Sequence, residues 1–211
     1  MLKPTPIVDA IKTVRLPMTH LFQVKHIETN IMYPHELFAA MYNDHYDLFL
    51  KSLCGGSLDN IPKFWNALRN HPALVASPAT AHPEFQTKCI PISLHGDGVP
   101  VAGIGKAWSR SMEILSWSSL LARGNTQSYV FLIFLVHKLL ACKSDDRNTM
   151  TIVWKHICWS FKWLALGKWP ETDVAGQAIH TAKAGTPLAD GFHVNLFALL
   201  GDRNNVDIHH H

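Results

Sequence analysis

The chain has 211 residues, 47% of them hydrophobic and 17% charged, with seven Trp and ten Phe; this is ample apolar surface for a core, and disorder of the whole chain is excluded. Nineteen Lys and Arg against sixteen Asp and Glu leave a formal net charge of +3, too weak a bias to identify a nucleic-acid-binding protein by itself. The most apolar run, 129–136, spans eight residues where a bilayer-crossing helix needs about 20, so a soluble, non-membrane chain is expected.

Residues 1–33 scatter short apolar pieces among Pro4, Pro6 and Pro17 without a sustained period, which predicts an irregular lead-in. From Pro34 onward Leu37, Phe38, Met41, Tyr42, His45 and Leu48 recur at helical spacing, and Gly55-Gly56 supplies a stop; one helix over 34–53 is predicted. Ile61, Phe64, Trp65 and Leu68 predict a second over about 58–70. Pro72, Pro78 and Pro83 mark 71–87 as a linker. Residues 34–87 thus read as a helical appendage with its linker, and His35, Asp44 and His45 as a solvated helix face.

Beyond the linker the period shortens to two. Cys89, Pro91, Ser93 and His95 alternate with Ile90, Ile92 and Leu94, a strand over 88–95 in which Pro91 marks one position outside the ladder. The following stretch, 96–105, is turn-rich. Two more strands are predicted over 111–121 and 129–136, with Arg123-Gly124-Asn125 between them. Asn148 or Thr149 then caps a helix to about Leu166, with Ile152, His156, Trp159 and Trp163 along one buried face and Gly167 and Pro170 at its end. A fourth strand over 191–200 runs directly into Gly201-Asp202. The order strand, strand, strand, helix, strand predicts an α/β fold with a mixed sheet in 88–205, the helix returning the chain so that the fourth strand lies parallel to the first. Residues 206–211 form a tail.

This layout puts Asp97 after the first strand and Asp202 after the fourth, so both carboxylates emerge at one sheet edge. Such a pair suits Mg²⁺, which takes one or two carboxylates with phosphate oxygens and water, and ions so held promote phosphodiester transfer. The glycines flanking Asp97 let a nucleic-acid backbone approach. Gly-Asp-Gly and Gly-Asp are equally ordinary turn sequences. Lys106 and Arg110 offer phosphate contacts or, more plainly, a solvated loop face. The neighbouring Gly103-Ile104-Gly105-Lys106 fails as a phosphate loop at Pro100 and Ala107. His137, Cys142, His156 and Cys158 lack zinc-site spacing, and Cys89 and Cys158 lack a nucleophile motif. Trp154, Trp159, Trp163 and Trp169 read as core and rim before they read as base-stacking platforms. His209-His210-His211 resembles an affinity tag. Four widely spaced cysteines and no signal-peptide pattern in the first residues predict free thiols in a reducing, intracellular compartment.

His95-Gly96-Asp97-Gly98-Val99-Pro100, Gly103-Ile104-Gly105-Lys106-Ala107-Trp108, Ser116-Trp117-Ser118-Ser119, Gly167-Lys168-Trp169-Pro170 and Gly185-Thr186-Pro187-Leu188 leading to Gly201-Asp202 together resemble a multicopy protein group of dinoflagellate algae. Over about 88–205 the layout is similar to the RNase H-like core of DDE-type cut-and-paste transposases. That resemblance implies Asp97 and Asp202 as the first and second catalytic acids, Mg²⁺ as cofactor, DNA as substrate and the nucleus as location. The third acid of such enzymes follows a fifth strand, and Asp207 stands too near Asp202 to fill that role. A fragment is therefore expected, and the alternative is a non-catalytic decayed or domesticated relative that acts as an interaction module.

Overall fold

The computed structural model describes residues 6–20, 23–75, 77–100, 111–124, 129–145 and 147–201. The lead-in is regular where an irregular one was expected: β1 (Ile11–His20) and β2 (Gln23–Met32) pair antiparallel from Ile11 opposite Met32 to His20 opposite Gln23. Pro17 sits inside β1 without breaking it, because only the carbonyl of that residue is called upon, accepting from the Thr149 hydroxyl. Beyond Pro17, the Thr19 N–H donates to the Leu140 carbonyl at 2.8 Å, which ties the hairpin to the connection after the third sheet strand.

The single helix expected over 34–53 is two, α1 (Pro34–Asp44) and α2 (Tyr46–Leu53), separated at His45, whose φ of −140° and ψ of 54° leave the helical region. Asn43, Asp44 and His45 all favour helix weakly, and the apolar spacing on either side carries the eye across the break. The next helix is α3 (Asn60–Ala67). The linker holds α4 (Pro72–Val75), a 3₁₀ turn at Pro78–Ala81 and α5 (Phe85–Lys88). Pro72 and Pro78 begin these turns instead of ending one, since a first-turn residue has no N–H to satisfy. Phe85 is buried against Trp65, ring centroids 4.6 Å apart.

A four-stranded mixed sheet follows: β3 (Cys89–Pro100), β4 (Ser111–Ser119), β5 (Phe131–His137) and β6 (His193–Gly201), in the order β5-β4-β3-β6. The first three run antiparallel in sequence, and β6 lies parallel to β3, with Cys89 opposite His193 and Gly96 opposite Gly201. The first sheet strand does not stop at His95. It continues through Gly96, Asp97 and Gly98, which pair with Leu115, Ile114 and Glu113 of β4, so the expected turn begins no earlier than residue 101.

Between β5 and β6 stands α6 (Thr149–Leu166). Asn148 Oδ1 accepts from the N–H groups of Met150 and Thr151 at its start, and Gly167 at φ 63° ends it, as the sequence predicts. One side of α6 covers the sheet, where Phe161 meets Trp117 edge to face at 6.2 Å. The other side meets α1, where the His35 N–H donates to Ser160 Oγ. Leu16 and Ile31 of the hairpin, Phe38, Phe49 and Trp65 of the helices, and Ile92, Trp117 and Val194 of the sheet belong to one continuous buried cluster. Among the described residues no helix is long and apolar enough to cross a membrane.

Candidate functional site at the end of β3

The last third of β3 carries the residues with chemistry. In the pleat Ser93, His95 and Asp97 share one face, while Leu94, Gly96 and Gly98 share the other. Asp97 is exposed and has no ion-pair partner among the described residues. Gly96 lies in register with Gly201, so close that a Cβ on Gly201 would stand 2.4 Å from the Gly96 carbonyl oxygen. The close approach is possible because Gly201 has no side chain. Asp97 and Asp202 are each the next residue after this pair. Asp202, Lys106 and Arg110 lie outside the described residues. On the opposite face of the strand the Lys138 ammonium lies over Gly98, 3.1 Å from where a Cβ would stand, and 3.9 Å from Glu113 Oε1.

Behind Asp97 is a compact polar cluster. Ser93 Oγ lies 3.1 Å from His95 Nε2 and 3.0 Å from Ser118 Oγ, Ser118 Oγ lies 3.3 Å from the same ring nitrogen, and Ser93 Oγ donates to the Ser118 carbonyl at 3.4 Å. Ser93 is buried and His95 half-buried; burial holds the imidazole below its usual range. The alternation of Ser93, His95 and Asp97 against Ser116 and Ser118 was visible in the sequence as polar residues at two-residue spacing. Only the pairing of Ser93 with Ser118 makes them one cluster.

The other sequence candidates are dispersed. His137 ends β5, Cys142 is buried after it, and His156 and Cys158 lie on α6; His156 Nδ1 is bound to the Tyr33 hydroxyl at 2.6 Å. Among the described residues no three His, Cys, Asp or Glu side chains gather as metal ligands. Cys89 is fully buried and its thiol is pushed up by burial, as is that of Cys158, which disfavours the nucleophilic thiolate. Trp163 is buried, Trp159 donates to the Thr172 carbonyl at 2.8 Å, and Trp169 lies under the Lys183 ammonium at 4.9 Å; these three have partners within the chain, while Trp154 is exposed on α6. In the expected appendage face His35 is buried, with its Nδ1 2.8 Å from Ser160 Oγ, where a solvated residue was expected. A cleft of about 860 Å³ lies along the opposite end of β6 between Pro83, Leu166 and His193, away from Asp97.

No family model matches the chain, and comparison with curated proteins and with solved structures also finds no match.

Proposed function

We propose that the chain is an RNase H-like domain related to DDE-type transposases, which holds a divalent cation with Asp97 and Asp202 and acts on DNA phosphodiester bonds in the nucleus. The observation that carries this reading is the parallel pairing of β3 with β6, in which Gly96 stands opposite Gly201 and an acid follows each of the two glycines in sequence. The order β5-β4-β3-β6, with α6 as the crossover, agrees with it. The residues present fit a hard cation in one respect: Asp97 is an exposed carboxylate that pairs with no cation among the described residues. A bound ion would supply Lewis acidity to a phosphodiester displacement. The chain's own part is to present Asp97 on the β3 strand beside β6, while Lys106 and Arg110 would hold the charged backbone of the DNA.

Calorimetric titration with Mn²⁺, standing in for Mg²⁺, tests the reading together with nicking of supercoiled plasmid DNA. Weak binding is expected, because two carboxylates leave most coordination positions to water. Asp97→Asn and Asp202→Asn are each expected to weaken it at least tenfold and to abolish Mn²⁺-dependent nicking. Unchanged affinity in both variants would retire the metal reading in favour of a non-catalytic interaction module of the same fold.

A further inference from the structure

We propose that the outer edge of β6 is a docking site for a partner peptide, which adds to the sheet as a further strand, lays alternate apolar side chains in the cleft along that edge and sets a carboxylate against Lys162. The site lies away from Asp97 and stands whether or not Asp97 binds a cation. β6 is the last strand in the order β5-β4-β3-β6. Its inner edge pairs with β3, and among the described residues no backbone group bonds to its outer edge. Such edges are ordinarily guarded by charge, by proline or by a covering element. This one, His193–Gly201, carries no Lys, Arg, Asp, Glu or Pro, and its Leu196, Leu199 and Leu200 are exposed.

The cleft of about 860 Å³ runs along the first half of that edge, where every residue from His193 to Phe197 lines it. Successive side chains of a strand point to opposite faces, so a cleft that meets five residues in a row meets the edge itself, with its N–H and C=O groups. Ala165 and Leu166 of α6 form one wall. The segment 77–83 forms the other, tied to β6 where the Asn195 amide donates to Ser77 Oγ at 3.3 Å. An extended chain laid between the walls bonds to β6 through its main chain and puts every second side chain against apolar surface.

The polar groups of the cleft choose among such chains. Lys162 is the one charged side chain among the described lining residues; its ammonium rests over the Trp163 ring at 5.2 Å and pairs with no described carboxylate. His82, half-buried in the second wall, adds a donor. Its Nδ1 accepts from the Glu84 N–H at 3.2 Å, and a backbone N–H only donates, so the ring proton is on Nε2, which has no partner among the described residues. A cation and an N–H donor, with no acid beside them, select a peptide bearing Asp, Glu or a terminal carboxylate over a basic one.

The test selects from a displayed library of random octapeptides on the full chain, and the enriched peptides are synthesised with a fluorophore and titrated by anisotropy. Expected are peptides with apolar residues at every second position and at least one acid. Lys162→Glu is expected to weaken them by at least about tenfold and to favour versions in which lysine replaces the acid. Methylation of the peptide's own backbone nitrogens tests strand addition. Methyl groups on the alternate nitrogens that face β6 are expected to abolish binding, and those on the other set to leave it unchanged. That comparison is made on the unsubstituted protein, so it does not depend on whether Lys162→Glu folds. Absence of any enriched peptide, or affinities indifferent to Lys162→Glu or to both methylation sets, would overturn the proposal. A dimer of the chain in sedimentation that Leu196→Lys dissociates would give the edge to a second copy of this chain and overturn the peptide partner.

Discussion

His35 and His193 each expose about 1% of their surface, and in both the neutral imidazole is the form that folding selects. The His35 backbone N–H donates to Ser160 Oγ, whose own proton is left for His35 Nδ1 at 2.8 Å; burial first, and then the charge of Lys12, push this ring down to about 3. His193 is pushed down to about 4, chiefly by burial, although its bond to the Gly191 carbonyl works the other way. In the unfolded chain both titrate near 6.5. As the pH falls below 6.5 the unfolded state takes up protons that the folded state refuses, so stability falls with pH until the folded values are reached. Each residue contributes up to about 1.4 kcal/mol per pH unit in that window. Urea unfolding at pH 7.5, 6.5, 5.75 and 5.0, above the range where most carboxylates titrate, is expected to show a midpoint steady at the top and dropping below 6.5. His193→Asn should reduce the slope. A midpoint independent of pH over this range would show that these rings are not held neutral.

At the level of elements, the contact between β3 and β6 depends on the bare backbone of Gly201. Gly201→Ala sets a methyl group 2.4 Å from the Gly96 carbonyl oxygen, a backbone atom that yields only if the strands separate. Gly98→Ala meets only the tip of Lys138, 3.1 Å away, which swings aside. The first substitution is expected to cost about 1–3 kcal/mol, as overpacking does, and the second close to nothing; chemical denaturation of both variants checks the contrast, and equal losses would mean that the two strands are not in tight register there. The sheet and α6 were legible in sequence because each had a clean local signal: Ile90, Ile92 and Leu94 alternating with smaller or polar residues, the short apolar run 129–136, and Asn148 and Gly167 marking the two ends of the helix. The hairpin was not. Leu21 and Phe22, between its strands, carry no turn chemistry; most of β2 faces solvent; and Pro17 argues against the strand it occupies. Its order comes from packing on α6 and on the connection after β5, which no local pattern records. The candidate site was legible in part for the same reason. Asp97 stood out between two glycines, whereas the link of His95 to Ser118 is a product of strand register, and Lys138 reaches Gly98 only because β5 lies beside β4.

For the molecule as a whole, the decisive fact is that the first 33 residues contribute to the same core as the sheet. Leu16 and Ile31 are fully buried, and Met18 and Tyr33 nearly so. The hairpin is also bound by the Thr19 N–H to Leu140 and by the Thr149 hydroxyl to Pro17, and Thr149 in turn receives the Cys142 N–H at 2.8 Å. Burial of a large apolar side chain stabilises by about 1.5–3 kcal/mol, so these four together stand for roughly 6–12 kcal/mol. The net stability of a domain is only about 5–15 kcal/mol. A chain beginning at Pro34 would therefore lose most of what holds it folded, even though every strand of the four-stranded sheet remains in it. It would also uncover the side of α6 on which Tyr33 packs edge to face against Trp159, centroids 5.1 Å apart, and holds His156 by its hydroxyl. The expected result of removing residues 1–33 is loss of the cooperative urea transition and of the near-ultraviolet circular dichroism of the tryptophans, with partial retention of the far-ultraviolet signal. Were the shortened chain to unfold cooperatively at nearly the same midpoint as the full one, the hairpin would be an accessory clasped to a self-sufficient sheet and helix, and residues 34–201 alone would suffice to test Asp97.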